Sequence, residues 1–208
     1  MPALIIVDVQ NDFCPGGALA VPAGDQVVPL INRLQAHYDL VVATQDWHPA
    51  EHGSFAVSHP GRRPGEMIEL AGLPQVLWPV HCVQGTPGAE FHPALDLDRV
   101  ARVFRKGTNP QVDSYSGFFD NGHRASTGLG DYLRERGVKE IHICGLATDY
   151  CVKFTALDAV ALGFETHFLE DACRGVELHP GDVQKAIEEM RRQGVIHFTG
   201  NSRKSSSN

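Results

Sequence analysis

The sequence predicts an α/β fold in which a parallel sheet carries helices on both faces. Three observations lead there. Short runs rich in β-branched residues alternate along the chain with longer stretches of helical spacing. The first run, Leu4–Val7, is nearly all apolar, as a strand covered on both sides must be. Gly137, Gly163 and Gly194 each follow a helical stretch, where a left-handed helix stop belongs. Strands and helices in alternation are joined by right-handed crossovers into one sheet.

In chain order, strands are expected at Leu4–Val7, Leu40–Thr44, Val100–Phe104, Glu140–Cys144, Glu165–Leu169 and Val195–Phe198. Helices are expected over Asp25–His37, Ala125–Arg136, Asp149–Leu162 and Pro180–Gln193. Two segments interrupt the pattern. Trp47 to Pro93 is rich in Pro, Gly and His and too long for an idle connection, so it is expected to be an ordered loop that builds a site. The tail from Asn201 to Asn208 is low-complexity and expected to be disordered. The organisation expected is therefore a single domain over residues 1–200 and a tail over 201–208.

Bulk properties narrow the function. The chain has 208 residues, 42% of them apolar and 21% charged, which is ordinary for a globule with a core. A net charge of -7 argues against nucleic acid as a partner. The opening Met1-Pro2-Ala3-Leu4 lacks a basic segment, its apolar stretch ends at Asp8, and no run reaches membrane length. The cysteines at 14, 82, 144, 151 and 173 form no C-x-x-C pair, so a reducing, cytoplasmic setting without disulfides is expected.

In a parallel sheet, ligands bind at the carboxyl ends of the strands, and the polar residues that need explaining stand there. Thr44-Gln45-Asp46-Trp47-His48 closes the second strand. In extended backbone Asp46 and His48 point to one side and could start a site for Zn, Fe or Mn. His52, His59, His81 and His92 follow in the long loop as sources of a further ligand, with Cys82 a softer and less natural donor. The alternative is a pair of ordinary polar residues at a strand end. The segment Ile143 to Cys151 places Cys151 just past a strand, in the first turn of a helix capped by Thr148 or Asp149. There, unpaired N–H groups and the helix dipole favour a thiolate and could hold an oxyanion. The alternative is a buried, inert thiol, the reading taken for Cys14, Cys82, Cys144 and Cys173. Asp8 and Lys106, each just after a strand, are candidates for the base and for a cation that lowers neighbouring pKa values, or else a turn residue and a solvated strand end.

These segments together resemble the nicotinamidase/pyrazinamidase branch of the isochorismatase-like cysteine hydrolases. Ala3-Leu-Ile-Ile-Val-Asp-Val-Gln-Asn-Asp-Phe13 is similar to the family's opening motif. Thr44 to Pro49 is similar to its metal motif, Trp78-Pro-Val-His-Cys-Val-Gln-Gly-Thr86 to the segment with another metal His, and Lys106-Gly107 to the catalytic Lys. Gly145-Leu-Ala-Thr-Asp-Tyr-Cys-Val152 is similar to the nucleophile motif. The resemblance spans nearly the whole chain in the family's order. It implies a three-layer α/β/α sandwich around a six-stranded, mainly parallel sheet, and a catalytic triad of Asp8, Lys106 and Cys151. It further implies metal ligands Asp46, His48 and His81, with His52 or water completing the shell around one divalent ion, Zn first and Fe or Mn as alternatives. Phe13 and Trp78 would sandwich the substrate ring, with Leu146 and Ala147 beside it. A cis Leu146–Ala147 bond would set the Ala147 and Cys151 N–H groups as an oxyanion hole. The implied activity is hydrolysis of nicotinamide, and of pyrazinamide, through a Cys thioester in NAD salvage, with a homo-oligomer left open. Two readings compete: a metal-free hydrolase of carbamoyl substrates, which would not need Asp46, His48 and His81 together, and a non-catalytic binding domain, which would not need Cys151 and Lys106.

Overall fold

A computed structural model describes residues 2–199; the expected tail lies outside the described residues. In chain order the regular elements are β1 (Pro2–Val7), α1 (Val28–Gln35), β2 (Leu40–Asp46), β3 (Met67–Leu70), β4 (Leu73–Val76), β5 (Val100–Lys106), α2 (Leu129–Glu135), β6 (Glu140–Leu146), α3 (Lys153–Ala161), β7 (Glu165–Arg174), α4 (Asp182–Arg192) and β8 (Ile196–Phe198). Six strands form one sheet in the order β5-β2-β1-β6-β7-β8. Every neighbouring pair in it is parallel, so the expected "mainly parallel" sheet is wholly so.

The chain winds outward from β1 through β2 to β5, returns to β6 and winds outward again to β8. Right-handed crossovers in opposite directions put α1 on one face and α2, α3 and α4 on the other. Neighbours on the latter face touch: Arg134 donates to the Leu162 carbonyl and Lys153 pairs with Glu189. The reversal of direction falls between β1 and β6, and the crevice outside their carboxyl ends is where such folds bind ligands. Residues 3–7 of β1 are completely buried, as the unbroken apolar run requires.

Several boundaries differ from expectation for local reasons. β2, β5, β6 and β7 each run further at their carboxyl ends than the β-branched runs, so Asp46 and Lys106 close their strands rather than follow them. The stretch Ala125–Arg136 is helical only from Leu129, since Gly128 before it is left-handed and Ser126 bridges to Phe119. Asp25–His37 divides into a 3-10 turn, Gly24–Val27, and α1, whose first turn contains Pro29. The long loop holds a hairpin, β3–β4, turned by Ala71 and Gly72 with φ of 50° and 83°. An Ala-Gly turn lacks the Asn-Gly or Asp-Gly signal that announces hairpins in sequence. The glycines at 137, 163 and 194 have positive φ just past α2, α3 and α4, as expected. Among the described residues no helix is long and apolar enough to cross a membrane.

Because β1 is the axis of the sheet, Ile5→Ala should lose about 2–5 kcal/mol of stability, the range for emptying a fully buried aliphatic site. Urea unfolding measures it. A loss below about 1 kcal/mol would show that the helices can collapse onto the gap.

Candidate active site

The strand order sets four neighbours side by side at the carboxyl edge, and each delivers one polar group. Asp8 follows β1 with φ of 47°, Asp46 ends β2, Lys106 ends β5 in register with Asp46, and Cys151 lies in the turn after β6. Lys106 Nζ is the common point. It lies 2.9 Å from Asp8 Oδ2, 3.0 Å from Asp46 Oδ1 and 3.4 Å from Cys151 Sγ, and it donates to the Ser114 carbonyl at 2.8 Å. Thr44 donates to the other Asp8 oxygen at 2.6 Å. All of these side chains are buried. The convergence that sequence alone left open is therefore present.

Electrostatics assign different states to the members. Burial opposes the Lys106 charge, but Asp46 and Asp8 outweigh it and hold the ammonium well above its ordinary 10.5. Burial raises Asp8 above 3.8, with Lys106 pulling the other way and Asp46 adding to the rise. Burial would raise Asp46 too, yet His48 and Lys106 hold it well below the carboxylate range. Burial dominates at Cys151, whose thiol lies well above 9.0 despite Lys106. This corrects the expectation of a thiolate favoured by the helix dipole: a fully buried sulfur resists charge more than a helix end stabilises it. A thiol so placed needs a base before it can react.

The turn bearing Cys151 also departs from expectation. Residues Thr148–Val152 form a π turn ahead of α3, and neither Thr148 nor Asp149 caps it. The Asp149 carboxylate instead accepts the Val176 and Glu177 N–H groups, at 2.9 and 2.8 Å, tying the nucleophile turn to the loop after β7. The Leu146–Ala147 peptide is cis.

Beside the triad, Asp46, His48 and His81 bring one donor atom each within 4.8 Å of one another. His48 Nε2 is 3.1 Å and His81 Nε2 3.5 Å from Asp46 Oδ2. Each ring has its other nitrogen on a carbonyl: His48 Nδ1–H donates to Gly107 at 2.9 Å and His81 Nδ1–H to Pro79 at 2.8 Å. That bond fixes the tautomer and turns the Nε2 lone pair toward the cluster, the outer-shell pattern of metal-binding histidines. Gln10 holds Asp46 by its backbone, accepting its N–H and donating to its carbonyl, both at 2.8 Å. His52 stands apart from this trio. It groups with His48 and Asp113, its Nδ1 accepts the Ser54 N–H, its Nε2 is buried without a hydrogen-bond partner among the described residues, and burial above all brings its pKa down to about 4.

A narrow cleft open to solvent lies over Cys151. Phe13, Trp78 and Ala147 line it as expected, with Asp46 and His81 at the base and Leu19, Asp113, Tyr115, Tyr150 and Val176 completing the wall. Leu146 is not in that lining: its side chain is fully buried and packs toward Gly24. Trp78 meets Tyr150 edge-on at 4.9 Å and donates through Nε1 to Tyr115 Oη at 3.2 Å. Sequence reasoning missed Tyr115 and Asp113, which sit in an irregular segment without a motif. Tyr150 lay within the nucleophile motif, where its neighbour Cys151 drew the attention. Its aromatic walls suit a small planar ring.

Comparison with known proteins agrees with this geometry. Residues 2–202 match the isochorismatase domain family. The chain is 53% identical over 201 residues to the nicotinamidase of Escherichia coli K12, covering 95% of this chain and 94% of that one. It superposes on a nicotinamidase/pyrazinamidase structure from Acinetobacter baumanii with a TM-score of 0.94 at 49% identity, covering 97% of each chain. A pyrazinamidase of Pyrococcus horikoshii in complex with zinc aligns with a TM-score of 0.78 at 42% identity, over 95% of this chain and 98% of that one. With its all-parallel sheet, its buried Asp-Lys-Cys cluster and a match from end to end, the chain belongs to the isochorismatase family.

Proposed function

We propose that the chain is a cysteine amidohydrolase of nicotinamide, and of pyrazinamide, releasing the carboxylic acid and ammonia through a thioester on Cys151 as a cytoplasmic step of NAD salvage. A single catalytic domain over residues 1–200 accounts for the activity. The observation that carries the reading is the contact of one buried ammonium, Lys106, with Asp8, Asp46 and Cys151 beneath an aromatic cavity. A metal-free carbamoyl hydrolase has no use for the Asp46-His48-His81 trio and its two tautomer-setting carbonyls.

Those three residues fit one divalent ion, zinc by the borderline character of a His and carboxylate set; the zinc complex of the Pyrococcus horikoshii relative supports it. An ion held by these residues would supply Lewis acidity beside the substrate ring. His52 shares a second group with His48 and Asp113, its Nδ1 engaged by the Ser54 N–H and its Nε2 buried without a hydrogen-bond partner among the described residues, so it would stand as a neighbour of the trio rather than a member.

The residues then divide the work. Phe13, Trp78 and Tyr150 hold the ring and direct the carboxamide at Cys151. Asp8 takes the thiol proton as sulfur bonds to the amide carbon, and the carbonyl electron pair moves onto oxygen. The Ala147 and Cys151 N–H groups receive that oxyanion, a contribution of about 2.7–4 kcal/mol per donor. Asp8 returns the proton to nitrogen as the carbon–nitrogen bond breaks, leaving a thioester and ammonia. Asp8 next takes a proton from water as it adds to the thioester; carbon–sulfur cleavage releases the carboxylic acid, and Asp8 returns its proton to sulfur, restoring the thiol. Lys106 remains charged throughout and keeps Asp8 and the sulfur in line.

Ammonia release from nicotinamide tests the reading directly. Cys151→Ala should lower kcat by at least about 10⁴-fold, the scale for deleting a nucleophile, while circular dichroism and the unfolding midpoint stay close to wild type. Substantial residual turnover, or no turnover by folded, metal-loaded wild type, would sink it. A Cβ on Gly107 would press on the His48 ring, 2.6 Å from Nδ1, where φ is already +66°. Gly107→Ala should therefore lose metal at least tenfold more readily under chelation, read by metal analysis; unchanged retention would refute the role given to the His48–Gly107 bond. The pH dependence has a definite sign. Asp8 works as a base only when ionised, and its pKa is raised, so kcat/KM should fall on the acid side through a pKa above the ordinary 3.8. An acid limb at or below that value would assign the base elsewhere.

A further inference from the structure

Two Glu-x-His pairs lie side by side at the opposite end of the sheet from the catalytic cavity. Glu140-Ile141-His142 opens β6 and Glu165-Thr166-His167 opens β7, with Glu140 in register with Glu165 and His142 with His167. A period of two sends all four side chains to one face. It is the face on the α1 side, since Tyr38, just past α1, reaches His142 there. Four residues of strand, roughly 13 Å, separate His142 from Leu146 at the catalytic end.

The donor atoms are already gathered. Glu140, His142 and His167 bring one each within 4.8 Å of one another. Glu140 Oε1 is 2.8 Å from His142 Nε2 and 3.7 Å from His167 Nε2, and Glu165 Oε1 is 3.0 Å from His167 Nε2. Ligand atoms on a tetrahedral zinc, at about 2.0–2.2 Å from the metal, stand roughly 3.3–3.6 Å apart. The observed spacings bracket that value. An independent feature points the same way: His142 Nδ1 lies 2.5 Å from the Tyr38 hydroxyl. With a metal on Nε2, Nδ1–H would donate to that oxygen, so the ring is held with Nε2, which meets Glu140 Oε1, toward the cluster. The His142 and His167 rings are mostly buried while the two carboxylates face solvent, which leaves an entry path and room for water.

We propose that Glu140, His142 and His167, with Glu165 beside them, form a second divalent-metal site that takes zinc and clips β6 to β7. Nothing in the amidase chemistry uses these residues. The clip spans the two strands whose far ends carry the nucleophile turn and the loop tied to it by Asp149. The site fills after the catalytic one. His167 Nδ1 is buried without a hydrogen-bond partner among the described residues, so a metal on Nε2 leaves an unpaired N–H. At the catalytic trio both Nδ1–H groups have carbonyls.

The experiment is a zinc titration of metal-free, tag-free protein by equilibrium dialysis, counting bound zinc per chain. Wild type should bind two equivalents, the second more weakly, and the His142→Gln/His167→Gln double variant one, with nicotinamide hydrolysis unchanged. His48→Gln, which disables the catalytic trio, should keep the second equivalent and gain thermal stability on adding zinc, a gain that disappears when His142 and His167 are also replaced. A single equivalent in wild type would mean that these side chains only pair with one another. A second equivalent surviving in the double variant would place it elsewhere. Either result overturns the proposal, and the metal count does so whether or not the chain hydrolyses nicotinamide.

Discussion

The buried ammonium of Lys106 is the interaction on which the rest of the site depends. A lone charge at that depth would cost several kcal/mol, and two carboxylates compensate it from either side. The three groups are mutually necessary. Without Lys106, Asp8 and Asp46 would face each other as uncompensated buried acids; without the carboxylates, burial would press the Lys106 pKa down. This arrangement separates two chemically identical side chains. Asp46, flanked by Lys106 and His48, stays an anion, whereas Asp8, deeper and nearer the thiol, is raised toward proton exchange. Environments that push two like groups apart are a general way to divide acid–base work from charge-holding.

That electrostatic cluster exists because of the winding of the sheet. β5, β2, β1 and β6 are neighbours in space but span about two-thirds of the sequence, and the direction of winding reverses beside β1. Each strand ends with one polar group at the same level. Around this frame a second set of contacts does the aiming: Gln10 on the Asp46 backbone, Gly107 and Pro79 on the histidine rings, Thr44 on Asp8, and Asp149 on the loop carrying Val176. These contacts explain why Gly107 follows Lys106 directly. The chain must pass within touching distance of His48, and a side chain there has no room.

Much of this was legible in the residue order. Leu4–Val7 reads as a doubly covered strand because only an all-apolar run survives burial on both faces, and the glycines after α2, α3 and α4 read as stops because their φ is positive. Asp46 and His48 read as partners because a period of two puts them on one side. What failed to read had no local cause. The β3–β4 hairpin turns on Ala71-Gly72, a weak signal. Tyr115 and Asp113 reach the cavity from an irregular segment held by Gln75 and Asn121. Asp149 looks like a helix cap in sequence, and is drawn away by two N–H groups from residues that lie more than 25 positions later.

The sequence by itself determined the element order, the parallel sheet, the ends at which chemistry belongs and, through its motifs, which residues to propose as the triad and as metal ligands. Those properties follow from periodicity, turn chemistry and residue type, all of which act over a few residues. The tertiary structure alone decided which strands are neighbours, and hence that Asp8, Lys106 and Cys151 touch. It also decided that burial raises the Cys151 thiol, that His52 groups with His48 and Asp113 rather than with Asp46 and His81, and that two Glu-x-His pairs meet on β6 and β7. Proximity and burial are properties of the packed chain. They set the dielectric around each charge and the distance between groups far apart in sequence, and no local pattern encodes either.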